Sequence, residues 1–421
     1  MRIIKSTSTR AVDGLLNRRP ARNREIERRV ATIVDGVRRG GDDALIRFAR
    51  RFDGLDGPVD VPRAEMVRAA RDLDAGVRQA IRLAARNIAH VARRQVPRTW
   101  TTRPAPGVII EQRVVPLDRV GCYVPGGRYP LPSSLLMTAV PASVAGVQEI
   151  IAVCPRVDRT VMAAALEAGV TRLLRIGGAH AIAALAYGTR TIPRVDKIVG
   201  PGNAYVAAAK SQVAADCAID FFAGPSEIAI VAATGTPAWI AADLIAQAEH
   251  DPDARAILFT PSRRLASGVK AAIARQMPAA GPASRALTTN GGIVLARTLD
   301  EAIALCQEMA PEHVVCDSAA VARRLTRAGT VFVGRFSAQA LGDYATGSNH
   351  VLPTAGAAAA RGGLSAADFV RVSTVQRLTA QGLRRIGPSA IALAEAEGLQ
   401  AHADSIRVRL DTKIQPGERT R

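Results

Sequence analysis

Apolar residues recur at helical spacing through the first quarter of the chain. In IERRVATIVDGVRRG (26–40) and VRQAIRLAARNIAHVARR (77–94) they fall three or four residues apart, which gathers them on one stripe of a helix and leaves the arginines on the other. Residues 21–100 are therefore predicted to be helical, with the first helix ending at the Gly40-Gly41 pair. His90 belongs to the second helix and reads as a helix-face residue without a catalytic task. From Val108 onward the period changes. Short apolar runs alternate with helical patterns: EIIAVC then VMAAALEAG, RLLRIGG then AIAALAYGT, DKIVGPG then NAYVAAAKSQVAA, and IAIVAA then a helix ending near 250. Such alternation predicts parallel strands covered by helices. A second series, AILFT, GIVLA, HVVCD and TVFVG, follows the same rule, and glycine and proline turns near 121–132 and 223–237 separate the two.

The expected fold is thus α/β, with two Rossmann-like parallel-sheet domains and small N- and C-terminal helical appendages. Residues 1–24 are expected as an arm, 25–120 with 233–368 as the first α/β domain, 121–232 as the second, and 369–421 as a C-terminal segment. A length of 421 residues agrees with more than one core. The small, flexible stretch TAGAAAARGG (354–363) precedes the C-terminal helical pattern SAIALAEAEG, and no repeat of 20–50 residues is visible.

Composition narrows the function classes. No apolar run approaches the roughly 18 residues that span a bilayer, and the opening MRIIKSTSTR lacks the apolar core of a signal peptide, so a cytoplasmic protein is expected. Five cysteines (122, 154, 217, 306 and 316) have no metal-like spacing and read as reduced core thiols. A net charge of +19 invites a nucleic-acid reading, with RRPARNREIERR (18–29) as its densest stretch. Yet the lysines number five (5, 197, 210, 270 and 413), the arginines are spread along the whole chain, and few aromatics interleave for stacking. No nucleic-acid partner is expected.

Candidate chemistry starts in LIAQAEHDPDARAILFT (244–260). Gln247 and His250 stand at i and i+3, so both can reach one ion from one helical face, whereas Glu249 and Asp251 point elsewhere. Of the six histidines, His250, His313, His350 and His402 each have a nearby carboxylate and a place at a predicted turn or element end. That clustering suits ligand and acid–base chemistry.

Several blocks in fixed order then resemble the histidinol dehydrogenase family, zinc enzymes that end histidine biosynthesis. They are GCYVPGG (121–127), PASVAGV (141–147), DKIVGPGNAYV (196–206), GPSEIAI (224–230), QAEHD (247–251), PEH (311–313), GDYATGSNHVLPT (342–354) and EAEGLQAH (395–402). The resemblance covers the chain from about residue 25. It implies that Gln247, His250, Asp343 and His402 ligate one zinc ion per subunit and that Glu312 and His313 are the catalytic pair. It also implies that Ser226, His350 and Glu397 hold the substrate, in company with the metal ligands and Glu312, and that Tyr123 and Asn203 touch NAD. The first α/β domain would carry the zinc and the catalytic pair, and the second the cofactor side. The family is an intertwined homodimer, so 369–421 would be a dimerisation segment whose Glu397 and His402 act in the neighbouring site. Where the family usually has GGAQ this chain has GGAH, which puts His180 at a position that contacts the dinucleotide.

Oxidising a primary alcohol to a carboxylate needs two hydride transfers with a hydration between them. His313 can serve twice as base and Glu312 can activate the water, provided Pro311-Glu312-His313 lies at a strand start where the pleat is broken, because neighbours in a regular strand face opposite ways. No GxGxxG fingerprint is present; the glycine turns VPGG, IGGAH and VGPGN are the available cradles for a pyrophosphate. Cys122 beside Tyr123 raises a rival path through a thiohemiacetal, against which stands the lack of a nearby histidine or lysine. The expected activity is NAD-dependent oxidation of L-histidinol to L-histidine through the aldehyde. The neighbouring reading is a related zinc and NAD alcohol dehydrogenase acting on another small polyol, such as a sulfonated propanediol; GRYPLPSS, after the first glycine turn, varies among relatives and bears on that choice. A non-catalytic metal binder would not need both Glu312 and His313.

Overall fold

The computed structural model describes residues 1–17, 23–127, 130–222 and 224–411. Part of the basic stretch 18–29, two residues of GRYPLPSS, and Lys413 lie outside the described residues. The chain divides into two compact units: Met1–Gln95 with Leu117–Phe369, and Val96–Pro116 with Val370–Arg421. In chain order the strands begin with β1 (Arg2–Lys5), β2 (Trp100–Ala105) and β3 (Val108–Pro116). A second run comprises β4 (Arg119–Tyr123), β5 (Glu149–Val153), β6 (Arg172–Leu174), β7 (Lys197–Val199) and β8 (Ala218–Ile219). The third comprises β9 (Glu227–Val231), β10 (Arg255–Thr260), β11 (Gly292–Leu295), β12 (His313–Cys316) and β13 (Thr330–Val333), and β14 (Val370–Leu378) closes the series.

The larger unit holds two parallel sheets, of strand order β1-β11-β10-β9-β12-β13 and β6-β5-β4-β7-β8. Each reverses direction of growth once, between β9 and β12 in the first and between β4 and β7 in the second, which is the doubly wound plan expected from the alternation. Strands β9 and β10 are buried along their whole length, as strands covered on both faces must be.

Several boundaries fall elsewhere than expected. Residues 2–5 are a strand, paired in parallel with β11, so the expected arm is part of a sheet. The helix Arg24–Phe52 passes the glycine pair with a kink at Gly41 (φ 51°) and resumes, because Ala44, Leu45 and Ala49 prolong its apolar face. Val30, Val34, Val37 and Leu45 share one buried core with Ile151, Val153 and Leu174 of the five-stranded sheet, so this helix belongs with the second α/β region rather than the first. The division between sheets precedes β9, at 220–226, rather than after 232.

In the smaller unit β14, β3 and β2 form an antiparallel sheet, followed by the helices Ala380–Ala396 and Gln400–Leu410. The sequence pattern did not predict that sheet. Its strands β2 and β14 are exposed at most positions, whereas β3 is mostly half-buried.

Candidate active site

Glu312 and His313 stand at the amino end of β12, beside the amino end of β9. The break in the pleat is real, but it lies one residue before Pro311: Ala310, the residue after the helix Leu299–Met309, has left-handed φ 45° and ψ 62°. From there the two consecutive side chains turn to the same neighbour. The Glu227 N–H donates to Glu312 Oε2 at 2.8 Å, and His313 Nδ1 lies 3.1 Å from the Glu227 carbonyl oxygen. A carbonyl only accepts, so Nδ1 carries the proton and Nε2 keeps its lone pair. His313 Nδ1 and Glu312 Oε2 are 3.6 Å apart. Both residues are buried, and burial drives their titrations in opposite directions. Desolvation lowers the imidazole to about 4 and raises the Glu312 carboxyl well above its usual range; the hydrogen bond from the Glu227 N–H opposes that rise, and the Glu227 and Asp343 charges add to it. His313 is therefore neutral at physiological pH.

Three further groups converge electrostatically on this pair. His250, Asp343 and His350 all act on the His313 titration, and His250 and Asp343 on that of His350. Gln247 occupies the last turn of the helix Pro237–Ala248, where it is 1 % exposed and its Oε1 has no hydrogen-bond donor. His250 follows just beyond that helix and is exposed. Asp343, on the short helix Ala340–Tyr344, accepts a 2.9 Å hydrogen bond from the buried Gln339 Nε2 at Oδ2, with Oδ1 3.7 Å from His350 Nδ1. His350 Nδ1 also lies 3.1 Å from the Asp343 carbonyl oxygen, which leaves Nε2 free in the same way as in His313.

This donor set fits a divalent cation. An amide oxygen buried without a donor is costly unless something electropositive meets it, and an oriented carboxylate and an imidazole stand in the same neighbourhood. Among the described residues no trio of His, Cys, Asp and Glu forms a metal cluster; of the four expected ligands the larger unit supplies only His250 and Asp343 of those types, besides Gln247.

The loop that carries His350 is tied at two points. Asn87 Nδ2 donates to the Ala345 carbonyl at 2.7 Å, and Asn349 Nδ2 donates to that of Met137, also at 2.7 Å. Between them Gly347 has φ 91°, and a Cβ there would lie 2.4 Å from the Asn87 carbonyl oxygen, so only glycine lets the loop seat against the helix Ala75–Gln95. Ser226, half-buried, ends the crossover into β9, where its carbonyl accepts the Arg255 N–H.

On the second sheet Tyr123 ends β4 and Asn203 follows β7, the two strands that flank the switch point. The carboxyl-edge crevice at such a point is where doubly wound sheets bind ligands. The Tyr123 hydroxyl accepts the Gly178 N–H at 3.1 Å, and burial raises its titration to about 12. Gly200, with φ 116°, passes so close to Tyr123 that a Cβ would lie 2.2 Å from the Tyr123 carbonyl oxygen. The buried Lys210–Asp220 ion pair braces that turn: Asp220 Oδ2 accepts the Gly200 N–H at 2.8 Å and Lys210 Nζ donates to the Gly200 carbonyl at 3.0 Å.

At the cofactor end, His180 is 1 % exposed, with Nε2 2.7 Å from Asp53 Oδ2 and its ring beside Phe48 and Phe52. The amides of IGGAH and VGPGN are largely engaged by the protein itself. Asp53 Oδ2 accepts the Gly177 N–H, Tyr123 the Gly178 N–H and Asp220 the Gly200 N–H, while Asn203 Oδ1 caps its helix by accepting from Tyr205 and Val206. Cys122 is fully buried and desolvation raises its thiol to about 12, which removes the thiolate path.

Glu397 and His402 belong to the smaller unit, at the end of one helix and in the first turn of the next, and both are exposed. Sequence reasoning missed Glu227, Gln339, Asn87 and Asp53. Glu227 lies within the GPSEIAI block, but nothing in the spacing shows that its peptide group serves the pair on another strand. Asp53 carries no local signal, because its partners are 124 and 127 residues away.

A histidinol dehydrogenase family profile matches residues 16–410. The chain is 46% identical over 394 residues to the histidinol dehydrogenase of Methanothermobacter thermautotrophicus, with 90% of this chain and 92% of that protein covered. It is 47% identical over 400 residues to that of Geobacillus kaustophilus, covering 92% and 94%. In structure it is similar to the crystal structure of histidinol dehydrogenase from Elizabethkingia anophelis, with a TM-score of 0.92 at 32% identity over 97% of this chain and 98% of that one. Family profile, relatives and solved structure agree along nearly the whole length, and the chain belongs to the histidinol dehydrogenase family, a family of oxidoreductases.

Proposed function

We propose that the enzyme oxidises L-histidinol to L-histidine in two NAD-dependent steps through the aldehyde, with Glu312 and His313 as its acid–base pair. The observation that carries this is the shared hold of Glu227 on both side chains, which leaves a neutral imidazole with its Nε2 lone pair free beside a carboxyl of raised proton affinity. His313 Nε2 takes the alcohol proton in the first oxidation and that of the hydrated aldehyde in the second. Glu312, once ionised, is a strong enough base to take a proton from the water that adds to the aldehyde.

Gln247, His250 and Asp343, with His402 of the partner subunit, would hold zinc, and the unpartnered Gln247 Oε1 supports that assignment. When bound, zinc would orient the amino alcohol and NAD would accept the two hydrides. Ser226, His350 and Glu397 of the partner subunit would hold the substrate. Tyr123 and Asn203 would flank NAD at the switch point, with His180 acting on it only through Asp53 and Gly177.

An intertwined homodimer is supported by each unit on its own terms. In the smaller unit, among the described residues, the two helices bury only Gly382, Gly387 and Ala403 and expose Leu393 (66%) and Val408 (60%), an apolar face suited to a partner. In the larger unit Trp239 and Phe336 stand exposed side by side, their ring centroids 6.3 Å apart. Among the described residues no helix is long and apolar enough to cross a membrane, and the five free, buried cysteines suit a reducing cytoplasm. The test is to incubate the protein with L-histidinol and NAD, with and without a chelator, counting NADH per histidinol. Two NADH per substrate and loss on chelation are expected; one NADH, or none, refutes the two-step reading.

A further inference from the structure

Beneath the catalytic pair lies a buried ion pair that neither faces substrate nor belongs to the acid–base chemistry. Glu227 opens β9 and Arg255 opens β10, and the two are Cα partners across the sheet. They are 1 % and 5 % exposed. Arg255 Nη1 donates to Glu227 Oε1 at 2.6 Å, and its Nη2 donates to the carbonyls of Leu15 and Leu16, at the end of the helix Thr9–Leu16. The other side-chain atoms, Glu227 Oε2 and Arg255 Nε, have no partner. Arg255 is the charged partner of the Glu227 side chain, on which the backbone amides of Ala355 and Glu312 also bear, while the N–H and C=O of Glu227 are the groups that hold Glu312 and His313.

An apolar pair of the same volume would serve stability as well or better, since two ions lose their hydration when buried. What the charged bridge adds is direction. It fixes the end of β9 against a third element, the carbonyls that close the N-terminal helix. We infer that the Arg255–Glu227 bridge is a positioning element for the active site, acting through the Glu227 peptide to set the Glu312 carboxyl and to hold His313 as the Nδ1–H tautomer. This rests on the acid–base reading of Glu312 and His313 proposed above.

The test separates position from stability. Arg255→Met alone strands a buried carboxylate and lowers the thermal midpoint and kcat together. The double variant Arg255→Met with Glu227→Gln has no buried charge left to strand and regains most of the midpoint. In that double variant we expect kcat to stay down on the order of 100-fold, the loss typical of a misplacement near 1 Å, with KM for histidinol little changed. We also expect 15N NMR of the histidine rings, with the His313 signal assigned by its loss in His313→Asn, to show mixed tautomers. Should the double variant not fold, Arg255→Lys keeps the charge but cannot bridge Glu227 and both carbonyls at once, and it should show a smaller kcat loss of the same kind. Recovery of kcat along with stability, or an unmixed Nδ1–H tautomer in a folded variant, overturns the positioning role. Full turnover by His313→Asn would instead overturn the acid–base reading itself; loss of turnover there beside a wild-type-like double variant sinks the positioning role alone.

Discussion

Asp53→Ala tests how far the cofactor end depends on a residue that carries no family motif. Asp53 Oδ2 receives the Gly177 N–H at 2.9 Å and faces His180 Nε2 at 2.7 Å, with its side chain 8% exposed. Alanine removes the acceptor from both. A hydrogen bond to a charged group contributes about 1.5–3 kcal/mol, and a buried donor left without a partner costs about 1–3 kcal/mol. The imidazole can relax within its cage, whereas the Gly177 amide is fixed at the start of the helix Gly178–Tyr187, so a net loss of about 2–4 kcal/mol is expected. Urea denaturation, compared at constant m, measures it. Because Gly177 and Gly178 form the turn beside the Tyr123 hydroxyl, steady-state assays at saturating histidinol should show a KM for NAD raised severalfold more than kcat is lowered. A loss under 0.5 kcal/mol with an unchanged KM for NAD would refute the coupling; a fall in kcat alone would move Asp53's influence to the catalytic pair.

Burial, not charge, sets the His313 titration, so its ring should remain neutral by NMR at pH 5.5, and a midpoint near 6.5 would contradict the buried placement. The sign for stability follows. With the folded value lowered to about 4, the unfolded chain takes up the proton first, so this contribution is complete above about pH 6.5 and is lost as pH falls from there toward 4. Cys122→Ser should retain oxidation of the aldehyde within a few-fold, since a thiol raised to about 12 supplies no thiolate; abolished aldehyde oxidation in a folded variant would restore the covalent path. Mixing His313→Asn subunits with His402→Asn subunits should restore one of two sites in each hybrid dimer, because one subunit then supplies an intact His313 and the other an intact His402; no recovery after verified exchange would place both residues in one chain's site.

The sequence by itself determined the α/β class, most strands of the two parallel sheets and the helices between them, and it marked the candidate chemistry-bearing residues. The apolar period distinguishes buried strand from amphipathic helix, and GPSEIAI, QAEHD, PEH and GDYATGSNHVLPT each carry their side chains within a few residues. It misplaced what depends on contact between distant segments. Residues 2–5 were too short to read as a strand until β11 was there to pair with them, and β2 and β14 are mostly exposed, so no buried face marks them singly. Only the tertiary structure decided that Glu312 and His313 sit at the amino end of β12, beside that of β9, while Tyr123 and Asn203 sit at the carboxyl ends of β4 and β7. The crossover 220–226 makes this geometry workable, since seven residues reach no farther than about 25 Å and so keep the carboxyl edge of one sheet near the amino edge of the other. Likewise, the local motif GGAH places His180 at a helix start, but that its ring meets Asp53 depends on a segment 127 residues away in sequence. Hydrophobic period is a property of neighbouring residues, whereas hydrogen-bond partnership and desolvation are properties of the packed whole.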